Sequence, residues 1–197
     1  MKTQLLLIGL GFKAVVFALL FLSGYLPDFD QSSPHVYSRW DALHYDAITK
    51  HGYSFEHQFA FFPGAPFFAG LLPSQLPSGL VFGLLSIPSA AALYDLSLQT
   101  LSSPSIAYLS TLLSIFTSSP AVFHISGTPE PIFAFCTYRG LLECSYKRWY
   151  RAAILFMIAG SLRSNGILLA GFHLWYLLVH PFLTSGKVRL LDFCSFR

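Results

Sequence analysis

The chain has 197 residues, of which 54% are hydrophobic, 17% aromatic and only 11% charged, with a formal net charge of +3. A soluble domain carries about 25% charged residues, so the polar surface is too small to coat a water-soluble globule, in line with a mean hydropathy of +0.56. These values give an all-α, polytopic transmembrane protein, and the weak, scattered positive charge argues against nucleic acid as a partner.

Residues 4–26 form the first apolar run, QLLLIGLGFKAVVFALLFLSGYL. It exceeds the roughly 20 residues that a helix needs to cross the hydrocarbon. It reads as an uncleaved anchor, because its apolar stretch is long for a signal peptide and no A-x-A-like site follows. Lys13 sits near its middle, where a lysine costs about 2.5–3.5 kcal/mol on insertion scales, so it is expected to face protein or a wet cavity. Lys2 favours a cytoplasmic N-terminus, which sets residues 27–58 as a luminal loop.

Four apolar runs follow, 59–73, 79–98, 105–124 and 129–143, and then the basic cluster Lys147, Arg148 and Arg151. The positive-inside rule assigns that cluster to the cytosol. Four full crossings would end on the wrong side. The expectation is therefore that 59–98 makes one broken pass, with PSQLPSG as a kink or re-entrant bend. Residues 105–124 then return outward, 129–143 come back, and 152–183, which contain SLRSNG, cross outward as one long run. The whole chain, 1–197, reads as a single transmembrane domain without internal repeats.

The three cysteines, Cys136, Cys144 and Cys194, are odd in number and match no metal or redox spacing. Cys136 and Cys144, in or beside an apolar run, read as small core residues. Asn165 is the only asparagine and is followed by Gly-Ile, so there is no glycosylation sequon.

The chemistry concentrates in SRWDALHYDAITKHGYSFEHQFAFFPGAP, from Ser38 to Pro66. Ser38 to Lys50 is expected to form a short helix, with Ser38 as N-cap and Asp41 three residues on in a capping box. Helical spacing sets Asp41, His44, Tyr45 and Ile48 on one face, beside Trp40, a residue type that anchors at membrane interfaces. Asp41 has two readings. It is a general base acting on a hydroxyl acceptor, or it only caps the helix. His44, His51 and His57 lack metal-ligand spacing, and no metal site is expected. Arg39 and Arg163 are the notable cations, because an arginine fork matches phosphate oxygens. The structural alternative for Arg163 is a pairing with Glu130 or a backbone carbonyl. Glu130 is a second candidate carboxylate, or an acid that complements a helix N-terminus.

Three blocks in order carry a family resemblance: RWDALHYDAITKHGYSFEHQFAFFPGAP, SSPAVFHISGTPEPIFAF and SLRSNGILLAGF. Together, over about residues 38–172, they resemble the GPI mannosyltransferase 2 (PIG-V) family. The resemblance implies a GT-C glycosyltransferase fold with its site on the luminal side of the endoplasmic reticulum membrane. It implies inverting transfer of the second, α1,6-linked mannose from dolichol-phosphate-mannose to the GPI precursor glycolipid, without a cofactor. Asp41 matches the family's base, with Glu130 beside it as a further catalytic candidate. Arg39, Trp40, His44, Tyr45, Arg163, Ser164 and Asn165 fall to substrate binding. Membrane lipids are implied partners, with a small membrane subunit as a further candidate. Family members are roughly twice as long, so the C-terminal half of the family fold is expected to be missing. The alternatives are a non-catalytic membrane subunit or pseudoenzyme of the same pathway, and a small transporter or scaffold; against the last, no inverted repeat is visible.

Overall fold

The computed structural model describes residues 1–23, 41–73, 78–117 and 128–185. Among these residues there is no strand. Among the described residues, ten α-helices run in chain order: α1 (Lys2–Ser23), α2 (Asp41–His51), α3 (Gly64–Gly70), α4 (Ser78–Leu84), α5 (Ser86–Leu101), α6 (Pro104–Phe116), α7 (Glu130–Ser145), α8 (Trp149–Leu162), α9 (Ala170–Leu174) and α10 (His180–Ser185). Short 3-10 turns span Glu56–Ala60 and Ser164–Leu169, and a π turn at Trp175–Val179 joins α9 to α10. Among the described residues, three helical stretches are long and apolar enough to cross a membrane: Lys2–Leu22, Val81–Leu101 and Ser164–Thr184.

The second stretch is α4 and α5 in series. Pro88 has no N–H to return to the carbonyl of Leu84, so the ladder loosens there. Leu85 N–H is shared between the carbonyls of Val81 and Phe82, at 3.2 and 3.1 Å. The helix is therefore loosened at residues 84–88, while the PSQLPSG bend of the expected 59–98 pass lies largely outside the described residues. The 59–73 run makes no span of its own. It folds into a 3-10 turn and the seven-residue α3, because Pro63, Gly64, Pro66 and Gly70 interrupt any longer helix.

The expected single crossing at 152–183 is corrected. α8 stops at Leu162, and Arg163 is extended (φ −151°, ψ 145°). The chain then turns back along α8. Phe172 faces Phe156, with ring centroids 6.4 Å apart. His173 Nε2 lies 3.0 Å from the carbonyl of Trp149, and Tyr176 packs 5.7 Å from the Trp149 ring. Two glycines permit such close helices. A Cβ on Gly166 would stand 2.6 Å from the Gly160 Cα, and one on Gly140 would stand 2.3 Å from the Phe156 ring of the facing helix. Lipid tails offer no apolar driving force between helices, so close backbone approach through small residues is what holds them.

Elsewhere α5 and α6 form an antiparallel pair through Ser97 and Ser110, whose hydroxyls are 3.4 Å apart. α1 lies against both, with Phe12 edge-on to Phe116 at 5.0 Å and Lys2 Nζ 2.5 Å from Asp95. As expected, Lys13 is buried. It lines a small cavity with Ser86 and Ser114. Cys136 and Cys144 are buried free thiols; Cys194 lies outside the described residues.

This topology gives two ends. One holds the starts of α4 and α7 and the end of α8. The other holds the start of α1, the α5–α6 turn and the basic α7–α8 turn.

Candidate active site

Helix α2 begins at Asp41 and buries Ala42, Tyr45 and Ile48. Residues 38–40 lie outside the described residues, so the Ser38 cap and the candidates Arg39 and Trp40 do too. The predicted shared face is divided. Tyr45 and Ile48 go inward, His44 is half-buried, and Asp41 is exposed at the helix start. A first-turn carboxylate favours the positive end of the helix dipole, and its exposure leaves it open to a ligand.

Tyr45 enters a cluster with Ala65, Phe82 and Leu162, ringed by Phe61, Ile132, Phe133 and Ile158. One apolar knot thus ties α2 to α3, α4, α7 and α8. Thr49 Oγ1 donates to the Tyr45 carbonyl at 2.7 Å and reaches the Pro66 carbonyl at 3.4 Å, which docks α2 on α3. α3 in turn touches the end of α8: a Cβ on Gly64 would meet the Ser161 carbonyl oxygen at 2.6 Å. Only glycine lets the PGAP turn lie against the SLRSNG segment.

The loop between α2 and α3 is built around Gln58. Its buried side-chain oxygen accepts from the N–H groups of Ser54 and Phe55, at 2.8 and 3.1 Å. Tyr53 donates its hydroxyl to the Phe61 carbonyl at 2.7 Å. Phe61 is thereby fixed, and His44 stacks on it with centroids 4.7 Å apart and planes 24° off parallel. His57 meets His44 edge-on at 5.2 Å.

Glu130 opens α7 and Arg163 follows the last residue of α8. Arg163 Nη1 donates to Glu130 Oε1, and the two side chains are 40% and 30% exposed. The structural alternative for Arg163 is therefore realised. It does not exhaust either group, since Glu130 Oε2 is buried and makes no hydrogen bond, and Arg163 keeps a solvent-facing surface. Tyr45 connects this pair to α2. Burial pushes its phenol up to about 12, the negative charges of Glu130 and Asp41 add to the rise, and Arg163 opposes it. Tyr45 thus feels the charge of three other candidates, which come from three separate stretches of sequence. Ser164 and Asn165 begin the 3-10 turn after Arg163, and both are exposed. Gly166 N–H donates back to the Arg163 carbonyl at 3.0 Å, so the RSNG segment is a tight, closed turn that presents its arginine. Among the described residues, no group of three or more His, Cys, Asp or Glu side chains is arranged to hold a metal.

The pattern of the mannosyltransferase (PIG-V) family matches residues 23–187. The chain belongs to that family. It is 38% identical over 151 residues to GPI alpha-1,6-mannosyltransferase 2 of Rattus norvegicus and 37% identical over 153 residues to that of Homo sapiens; each match covers 68% of this chain and 30% of the relative. GPI mannosyltransferase 2 of Cryptococcus neoformans is 30% identical over 171 residues, with 74% of this chain and 39% of the relative covered. The matched region thus spans about a third of the length of these PIG-V relatives. No solved structure matches.

Three contributors to this candidate site escaped the sequence reading. Gly64 and Gly166 set backbone distances, and Gln58 rigidifies the loop under Phe61. The two glycines stood inside quoted motifs, yet spacing along a chain does not say which backbone a glycine will touch. Gln58 looked like an ordinary loop residue.

Proposed function

We propose that this chain provides the acid and arginine walls of a site that transfers mannose, in α1,6 linkage, from dolichol-phosphate-mannose to the GPI precursor glycolipid. The observation that carries this reading is the meeting of Glu130, Arg163 and Tyr45 beside the helix that Asp41 begins. A site for lipid-phosphate sugar transfer needs an exposed carboxylate for the acceptor and a cation for the leaving phosphate, close together. The Asp41 carboxylate takes the proton of the acceptor hydroxyl. That oxygen bonds to the anomeric carbon, the bond from this carbon to the phosphate oxygen breaks, and dolichyl phosphate leaves with the electron pair. Arg163 receives the phosphate charge through the part of its guanidinium that Glu130 does not use. Glu130 holds the arginine in position. The aromatic wall of His44 and Phe61 offers flat apolar surface to a sugar ring.

The end that holds Asp41 and Arg163 faces the lumen of the endoplasmic reticulum in this reading, and the basic α7–α8 turn faces the cytosol. A small membrane subunit is a further proposed partner.

The test is complementation. The chain, and an Asp41→Asn version, are expressed in cells lacking GPI mannosyltransferase 2, and GPI-anchored proteins at the surface are measured. Rescue by the first and not the second is expected. Failure of both, with stable membrane expression, would overturn the catalytic reading in favour of a non-catalytic subunit. Equal rescue by both would remove Asp41 as the base.

A further inference from the structure

The α7–α8 turn gathers the chain's densest positive charge. Arg139, Lys147, Arg148 and Arg151 stand there against one acid, Glu143, which is four cations to one carboxylate. Glu143 is 2% exposed. Arg139 Nη2 holds one of its oxygens at 2.8 Å and Arg148 Nη1 the other at 3.5 Å. Its capacity is thereby used within the fold. Lys147 and Arg151 are exposed, and among the described residues neither has an acidic partner. Lys147 also takes a left-handed backbone conformation, φ 59°, a place where glycine or asparagine is the usual choice. The turn presents a cation where a small residue would be easier to fit.

The level of this turn relative to the bilayer is marked independently. Tyr146 and Tyr150 are exposed beside it, and Trp149 opens α8 next to them. Tyrosine and tryptophan next to a basic turn at the end of apolar helices mark the headgroup region. Lys147 and Arg151 therefore stand where lipid phosphates lie.

We infer that the α7–α8 turn is a binding site for the headgroup of an anionic phospholipid, with Lys147 and Arg151 on its phosphate and the tyrosine and tryptophan rings against its glycerol and upper acyl region. The site is at the opposite end from Asp41 and does not depend on the transferase reading. Arg148 is the structural cation of the set, held by Glu143 and lying 5.2 Å from the Tyr146 ring centroid.

The experiment places the full chain in nanodiscs of phosphatidylcholine, alone or with phosphatidylinositol. Thermal unfolding is followed, and bound lipid is counted by native mass spectrometry. The anionic lipid is expected to raise the melting temperature and to be retained. Each of Lys147→Gln and Arg151→Gln is expected to weaken retention roughly fivefold, with the melting temperature in phosphatidylcholine alone unchanged, since both side chains are exposed. The charge-keeping pair Lys147→Arg and Arg151→Lys is expected to retain the lipid. Equal retention by the native chain and the glutamine variants would overturn the proposal, as would no preference for the anionic lipid in the native chain. Inorganic phosphate reproducing the stabilisation in phosphatidylcholine would also overturn it, showing a general anion site. Loss of retention in the charge-keeping pair would overturn the charge basis.

Discussion

Helix α7 carries Glu130 as its first residue and Glu143 near its last, about 20 Å apart at 1.5 Å per residue. Each meets an arginine from the segment that follows. Glu143 is 2% exposed, and both of its oxygens are occupied by arginines. Glu130 is more open, holds one arginine through one oxygen, and leaves the other oxygen without a hydrogen bond. A buried acid that is fully paired contributes a fixed turn. An acid that is half-paired, beside an arginine with spare donors, leaves capacity for a ligand. The same two residue types at two ends of one helix hairpin thus take different roles, and the difference lies in how many of their hydrogen-bonding atoms the fold consumes.

The largest expected effect tests the open end. Asp41→Asn should lower mannosyl transfer by about 10²–10⁴-fold, the usual contribution of a general base, with unfolding temperature unchanged because Asp41 is exposed. An assay on membranes with a synthetic GPI acceptor reads this directly, and a loss of less than tenfold would remove the role. Next, Gly166→Ala should destabilise the chain by about 1–3 kcal/mol through overpacking, since its Cβ would meet the Gly160 and Ala159 backbone. Thermal unfolding in detergent checks it; an unaffected melting temperature would mean that the turn yields easily.

Glu143→Gln should cost about 2 kcal/mol, because it leaves two arginines without their shared carboxylate. It should not alter the affinity for substrate. Glu130→Gln should do the reverse, with a small change in stability and a weaker interaction with the donor lipid. If the two variants behave alike, the contrast between the ends is broken.

The last effect is on pH, and at neutral pH it is absent. The Tyr45 phenol ionises at about 12 in the fold and near 10 when unfolded. Between those values the unfolded chain binds fewer protons than the folded one. Stability is therefore whole below about pH 10 and falls above it, by at most about 1.4 kcal/mol per pH unit. Tyr45→Phe should flatten that fall in an alkaline unfolding series.

Much of the candidate site was legible in the order of three motif blocks, because each block brings its own chemistry: Asp41 in RWD, Glu130 in TPEP, Arg163 in SLRSNG. The pairing of Arg163 with Glu130 was also legible as one of two readings, since buried opposite charges seek each other. The path of the chain was not. Hydropathy cannot distinguish one long crossing at 152–183 from two antiparallel helical segments, because both present the same apolar composition; the break at Arg163 depends on what Gly166 touches. The 59–73 run misled for a related reason. Its apolar content is aromatic surface on a short turn, with Phe59 and Phe67 exposed, rather than helix interior. Glu143 carried a visible signal in its i, i+4 spacing from Arg139, but a carboxylate within an apolar run gives no hint of a second arginine beyond the turn.

The contacts at Gly64 and Gly166 have a consequence for how such a site can vary. Where a spacing is set by a missing side chain, every replacement errs in the same direction, toward wider separation. The PGAP–α8 and RSNG–α8 distances are thus lower limits that point mutations can raise but not reduce. Any retuning of substrate preference has to come from residues outside these two contacts, such as the half-buried His44 and Phe61.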